Sequence, residues 1–177
     1  MKTNVRKMVT SALLISIAVI LSQVFHFYAP GSGRIFLPLH IPVLIAGLLC
    51  GAKYGLIVGI LTPLTSHLIT QMPPAGSLIQ MTLELATYGM ISGLVIHFVK
   101  TKSQIVNIYI ALFIAMITGR VVFGVLNALI FQLGEYSLSI WLASAFITSL
   151  PGIIIQVILI PAIIFTLNKL NFLSENI

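Results

Sequence analysis

The sequence contains very little charge and no aspartate. Charged residues make up 7% of the 177 residues, and the only acids are Glu84, Glu135 and Glu175. A soluble domain surrounds its core with charged residues, typically about a quarter of its length. Because 59% of this chain is hydrophobic, we expect it to fold in lipid, as a single domain over residues 1–177.

Cysteine and clustered metal ligands are also scarce. Cys50 is the one cysteine, which excludes an intrachain disulfide and a CxxC site. The four histidines, His26, His40, His67 and His97, share no i, i+3 or i, i+4 spacing. We therefore expect no metal site and no cofactor, and no nucleophile–base pattern indicates an enzyme.

Six apolar runs, separated by proline, glycine and a few charges, predict an all-α integral membrane protein with six transmembrane helices. The predicted spans are Met8–Phe27, Leu39–Gly51, Tyr54–Thr70, Leu78–Val99, Ile105–Gln132 and Leu138–Leu167. The first run is longer than the ~7–15-residue core of a signal peptide, so we interpret it as a retained span. The second run is too short for a ~30 Å hydrocarbon core and must be tilted, broken or shielded.

The basic residues give the chain a net charge of +6, but they lie in short caps between the spans. This spacing does not match the basic face of a nucleic-acid-binding protein. If the N-terminus is inside, the inner caps hold seven of them: Lys2, Arg6, Lys7, Lys53, Lys100, Lys102 and Lys169. The outer loops hold only Arg34. This asymmetry predicts that both termini are cytoplasmic.

Glu84 and Arg120 are the two ionisable residues inside the apolar spans. Such residues are costly in lipid and usually line a cavity or have a partner. One interpretation is a structural ion pair between spans 4 and 5. The other is that one or both face an outward-opening ligand pocket. The two interpretations are compatible if the pair borders the pocket.

Polar side chains recur at helical spacing in the outer halves of several spans. The rows are Gln80, Glu84 and Tyr88 on span 4; Arg120, Gly124, Asn127 and Phe131 on span 5; Thr62, Ser66 and Thr70 on span 3, with His67 adjacent; and Ser149 and Gln156 on span 6. Gly124 is predicted to leave room above the Arg120 guanidinium. Tyr136 and Trp141 are interpreted as anchors at the membrane interface.

Small residues at i, i+4 allow helices to approach closely in lipid. Span 3 carries them at Gly51, Gly55 and Gly59, and span 1 at Ala12 and Ser16. Packing within the bundle is the general use of such a pattern. For Ala12 and Ser16 the alternative is an intermolecular docking face.

Several stretches resemble the substrate-binding S components of energy-coupling factor (ECF) vitamin transporters. The first is Leu37–Gly59, with its Leu-His-Ile-Pro start and spaced glycines. The others are Glu84–Gly89, Gly119–Arg120 with Asn127, and Pro151–Gln156. The resemblance covers nearly the whole chain and implies an S-component-like bundle.

The resemblance also implies a mechanism. S components of this kind bind a vitamin in an outward-facing pocket that is closed by the loops after spans 1 and 3. They then topple in the membrane while docked on a transmembrane T subunit driven by two cytoplasmic ATPase subunits. Ala12 and Ser16 stand where the family carries an Ala-x3-Ala docking face. The chain has no P-loop pattern, so the energy must come from a partner.

On this basis we expect the substrate-binding residues to lie in the spans and loops that form the pocket. They are Arg120, Glu84, Asn127, Tyr88, His40, His67, Gln156 and Phe36. His40 is also consistent with a hydrogen-bonded structural residue at the start of a helix. A buried arginine suits an anionic ligand and favours pantothenate, whereas the aromatic residues suit the ring of pyridoxine or hydroxymethylpyrimidine. The resemblance places the chain in a bacterial plasma membrane, and a stand-alone facilitator is the alternative.

Overall fold

The computed structural model describes residues 2–28, 31–132 and 136–169, and its regular elements are all helical. The helices are α1 (Lys2–Tyr28), α2 (Gly33–Phe36), α3 (His40–Cys50), α4 (Ala52–Thr70), α5 (Ala75–Phe98), α6 (Gln104–Leu126), α7 (Leu138–Leu142) and α8 (Leu150–Lys169). One π-helical segment, Asn127–Phe131, continues α6, and a second, Ala143–Ile147, continues α7. Six of the described segments are long and apolar enough to cross a membrane, which confirms the predicted fold class.

Helix α3 lies at the centre of the bundle. All 11 of its residues are buried, and it packs against α1, α4, α5, α6 and α8. At about 1.5 Å per residue it is only about 16 Å long, so the neighbouring helices shield it from lipid, as its short predicted span requires. Pro42 lies in its first turn, where a missing N–H is tolerated. Gly51, at φ +89°, links α3 directly to α4, a backbone conformation that favours glycine.

Large apolar side chains cover the outside of the bundle, the reverse of a soluble protein. Examples are Met8, Leu68, Ile117, Leu129 and Ile158, all of which are exposed. A surface of this kind is stable only against hydrocarbon. The start of α1 lies beside the α3–α4 connection, where the Cys50 thiol is 3.8 Å from the Lys7 carbonyl oxygen.

The sixth span differs from its prediction as one helix over Leu138–Leu167. The described chain instead has a short apolar segment, Leu138–Ile147, and a separate spanning segment, Leu150–Leu167. Thr148 and Ser149 form the turn between them. The physical reason is Pro151, because proline has no N–H to bond to the carbonyl oxygen of Ile147, four residues earlier. The predicted loop after the first span also contains a helical turn, α2.

Glycines bring α4 and α5 into backbone contact, as the spacing of Gly55 and Gly59 predicts. A Cβ atom added at Gly55 would lie 2.1 Å from the Gly89 carbonyl oxygen. One added at Gly59 would lie 2.4 Å from the Leu85 carbonyl oxygen. These contacts fix the register of the antiparallel pair, and with it the depth of the polar residues on both helices.

We expect Gly55→Ala to destabilise the protein, because the new methyl group has to push the α4 and α5 backbones apart. Overpacking of this kind typically costs about 1–3 kcal/mol. Gly76→Ala is the matched control, since nothing lies within 4 Å of a Cβ atom at Gly76. Thermal unfolding in detergent measures both variants. If Gly55→Ala melts at the same temperature as Gly76→Ala, the close helix contact is wrong.

Candidate functional site

A group of polar side chains is buried inside the bundle. Its members are less than a tenth exposed. They are His40, Glu84, Tyr88, Arg120, Asn127, Ser149 and Gln156, together with Thr62 and Ser66 on α4. Ionisable groups inside a membrane bundle are expensive and therefore mark candidate functional sites. We refer to these nine residues as the polar cluster.

Glu84 and Arg120 form an ion pair at the centre of the polar cluster. Arg120 Nη1 lies 3.1 Å from Glu84 Oε1, and the two side chains are 8% and 4% exposed. Arg120 Nη2 donates to Ser149 Oγ at 3.1 Å. The Tyr88 hydroxyl donates to Glu84 Oε1 at 3.0 Å. The two side chains therefore pair with each other in this structure, and both terminal nitrogens of Arg120 are engaged.

Glycines on α6 shape this centre. A Cβ atom at Gly119 would lie 2.1 Å from Tyr88 Cε1, so the missing side chain makes room for the tyrosine ring. From the sequence we expected Gly124 to leave open space above the guanidinium, and this prediction is wrong. Trp141 occupies that space: its Nε1 would be 2.5 Å from a Cβ atom at Gly124 and donates to the Arg120 carbonyl oxygen at 3.0 Å. Trp141 thus packs against α6 rather than acting only as an interface anchor.

His40 lies beside the ion pair at the start of α3. Its Nε2 is 3.8 Å from Glu84 Oε1, and its ring centroid is 5.3 Å from that of Tyr88. At 3.8 Å the contact with Glu84 is too long for a hydrogen bond. Neither ring nitrogen has a hydrogen-bond partner among the residues that the structure describes. A buried polar group of this kind is costly, and a ligand would satisfy it.

Other expected site residues occupy different positions. Asn127 is buried, but its Nδ2 donates to the Phe123 carbonyl oxygen one turn earlier. His67 Nδ1 lies 2.7 Å from the Pro73 carbonyl oxygen, so this residue fastens the segment between α4 and α5. Phe36 is half-buried, and its ring centroid lies 5.1 Å from that of Phe25 on α1. His67 and Phe36 therefore contact the segments that flank the bundle, while Gln156 is buried within it.

Three members of the polar cluster were absent from the expected binding residues. Ser149 bonds to Arg120. Thr62 and Ser66 are fully buried, and their hydroxyl groups make no hydrogen bond within the described ranges. Their i, i+4 spacing on one face of an apolar helix was the available signal. It did not distinguish them from hydroxyls that bond to their own helix, as Thr65 does to the Leu61 carbonyl oxygen.

The outer face of α1 carries Ala12 and Ser16, and both residues are exposed. The Ser16 hydroxyl bonds to the Ala12 carbonyl oxygen at 3.1 Å, so its polarity is satisfied within the helix. The apolar window of α1 is 22% buried, whereas that of α5 is 44% buried. Helix α1 therefore presents a long apolar face with a smooth centre formed by two small residues.

Comparison with known proteins gives one match. The sequence model of the family described as ECF transporter, substrate-specific component, matches residues 6–164. No curated protein sequence and no solved structure matches the chain.

Proposed function

This chain belongs to the family of ECF transporter substrate-specific components, and we propose that it is the membrane-embedded subunit that binds a vitamin for an ATP-driven importer. Its partners are then a transmembrane T subunit and two cytoplasmic ATPase subunits. Its place is the bacterial plasma membrane, with both termini on the cytoplasmic side, as the distribution of basic residues predicts.

The observation that carries this proposal is the polar cluster. Glu84 and Arg120 form a 3.1 Å ion pair inside the bundle, and neither ring nitrogen of the adjacent His40 has a hydrogen-bond partner in the part of the chain that the structure describes. A purely structural ion pair needs no unsatisfied donors beside it, whereas a binding site does. We therefore place the substrate against His40, Glu84, Tyr88, Arg120 and Gln156.

Two outer segments cover this site in the proposed mechanism. The first follows α1 and includes α2, whose Phe36 carbonyl oxygen lies 2.8 Å from a Cβ atom built at Gly152 of α8. The second joins α4 to α5 and is held by the contact between His67 and Pro73. The family resemblance assigns closure of the pocket to these two segments, so His67 and Phe36 would act at the closing segments and not beside the ion pair.

The resemblance favours pantothenate as the substrate, with pyridoxine, hydroxymethylpyrimidine or another vitamin as the alternative. Pantothenate would place its carboxylate on Arg120. Pyridoxine or hydroxymethylpyrimidine would place its ring against His40 and Tyr88, whose ring centroids are 5.3 Å apart.

We expect the purified protein to retain a small molecule that mass spectrometry identifies. Uptake of that molecule by cells should require coexpressed T and ATPase subunits, because a binding subunit alone has no energy source. An ATPase variant without its P-loop lysine is the matched control, since it still assembles but cannot use ATP. Uptake that continues at full rate without the ATPase subunits would indicate a stand-alone facilitator.

A further inference from the structure

We propose that the polar cluster takes an uncharged ligand that offers both hydrogen-bond donors and acceptors, and that His40, Thr62 and Gln156 recognise it. This inference rests on the proposed function, because it names the substrate class of the same site. It favours a neutral vitamin over the pantothenate anion that a free Arg120 would bind.

The first step concerns charge. Arg120 is the only lysine or arginine among the buried residues of the described chain, and Glu84 is the only buried acid. They are 3.1 Å apart, so their charges cancel, and Ser149 occupies the second terminal nitrogen of Arg120. An anion would have to share Arg120 with Glu84 or separate the pair, and separation leaves Glu84 buried without its counter-ion, which is strongly unfavourable. A cation that separated the pair would leave Arg120 buried without its counter-ion, at a similar cost.

The second step concerns hydrogen bonds that are left unmade. Within residues 2–28, 31–132 and 136–169, buried side-chain atoms without a partner include both ring nitrogens of His40, the hydroxyls of Thr62 and Ser66, and Gln156 Nε2. A neutral imidazole has one donor and one acceptor, a hydroxyl group can act as either, and an amide nitrogen donates. A complementary ligand therefore needs acceptors and donors, such as hydroxyl groups, carbonyl oxygens or ring nitrogens.

The third step concerns depth. Gly59 packs against Leu85 and Ala86 in the antiparallel α4–α5 pair, and Thr62 is three residues further out on the same face. Thr62 therefore lies within about one helical turn of Glu84, which His40 also contacts. Gln156 lies in α8, seven residues after Ser149, which is about 10 Å deeper at the rise of an α-helix. The unpaired groups thus belong to three helices: His40 and Thr62 lie near the depth of the ion pair, which carries no net charge, and Gln156 lies further in.

The test uses pairs of probes that differ in charge. Pantothenol carries a hydroxymethyl group where pantothenate carries its carboxylate, and pyridoxine differs from pyridoxine 5′-phosphate by the phosphate. Affinities for all four are measured by calorimetry with the purified full-length protein. In whichever pair of probes binds, we expect the uncharged probe to bind at least about tenfold more tightly than the charged one, which corresponds to about 1.4 kcal/mol.

Isosteric variants connect this preference to the named residues. His40→Phe, Thr62→Val and Gln156→Leu should each weaken binding of the preferred probe about tenfold or more, whereas the melting temperature without ligand should not fall. This combination is expected because each change removes at least one buried polar atom that has no hydrogen-bond partner among the described residues. Thr87→Val is the matched control, since the exposed Thr87 hydroxyl already bonds to the Leu83 carbonyl oxygen.

The results separate the two levels of the proposal. Tighter binding of the anionic member, or wild-type affinity in all three isosteric variants, overturns the inference and leaves the proposed function in place. If none of the four probes binds and no small molecule copurifies, the proposed function itself is wrong.

Discussion

Arg120→Gln should strongly destabilise the protein, and the double variant Arg120→Gln, Glu84→Gln should recover most of the loss. Removing one partner of a buried ion pair costs about 3–5 kcal/mol, because the other charge remains buried and uncompensated. Here Glu84 would keep only the Tyr88 hydroxyl at 3.0 Å and the His40 nitrogen at 3.8 Å. In the double variant, two neutral amides replace the two charges and can bond to each other.

Melting temperatures and ligand affinities in detergent measure both variants. Ser149→Ala is the control for the loss of a neutral partner, because its hydroxyl accepts from Arg120 Nη2 at 3.1 Å. The expected destabilisation for that change is only about 1 kcal/mol. If Arg120→Gln melts like the wild type but loses its ligand, then Arg120 acts as the counter-ion of the ligand, and the ion pair is not structural.

Ligand binding by the double variant separates the two vitamin types. Under the uncharged-ligand inference, the double variant keeps substantial affinity, because His40, Thr62 and Gln156 are unchanged. If the ligand is pantothenate, loss of the arginine should weaken binding by about 2–5 kcal/mol, or at least ~25-fold, even after stability is restored.

Much of the fold could be predicted from the sequence because lipid imposes a simple rule on each span. Apolar runs between prolines, glycines and charges correspond to helices that can cross a bilayer. The same rule singled out Glu84 and Arg120, since an ionisable residue inside such a run is rare. The glycines at 55 and 59 indicated close helix packing, and their added Cβ atoms would contact the backbone of α5.

The parts that the sequence did not provide depend on contacts between helices. Periodicity placed Glu84 and Arg120 on faces of their own helices, but only the crossing geometry shows that their side chains meet at 3.1 Å. From Gly124 we predicted empty space, because no neighbouring residue in the sequence indicated that Trp141 packs against α6. The break in the sixth span at Thr148 and Ser149 was missed, although Pro151 was its signal, because the chain is apolar on both sides of it.

The second large effect, a loss of vitamin uptake, is expected from substitutions on the exposed face of α1. The apolar window of this helix is 22% buried, the lowest value among the six described spans. Its centre is formed by Ala12 and Ser16, and small residues at this spacing let another helix approach closely. We propose that this face docks on the T subunit, because the family resemblance implies an Ala-x3-Ala docking pattern at this position.

Ala12→Trp and Ser16→Trp should therefore reduce vitamin uptake by more than about tenfold, because only about 1.4 kcal/mol of lost docking energy is needed for that change. Ligand affinity of the isolated protein should stay at the wild-type value, since both residues are exposed on α1 and are not members of the polar cluster. Ile117→Trp is the matched control on α6, where the side chain is 57% exposed, and it should leave uptake unchanged. Copurification of the T subunit with each variant shows whether the block lies in docking. If binding and uptake fall together in Ala12→Trp, the small residues support the bundle itself, and the docking surface must lie on another helix.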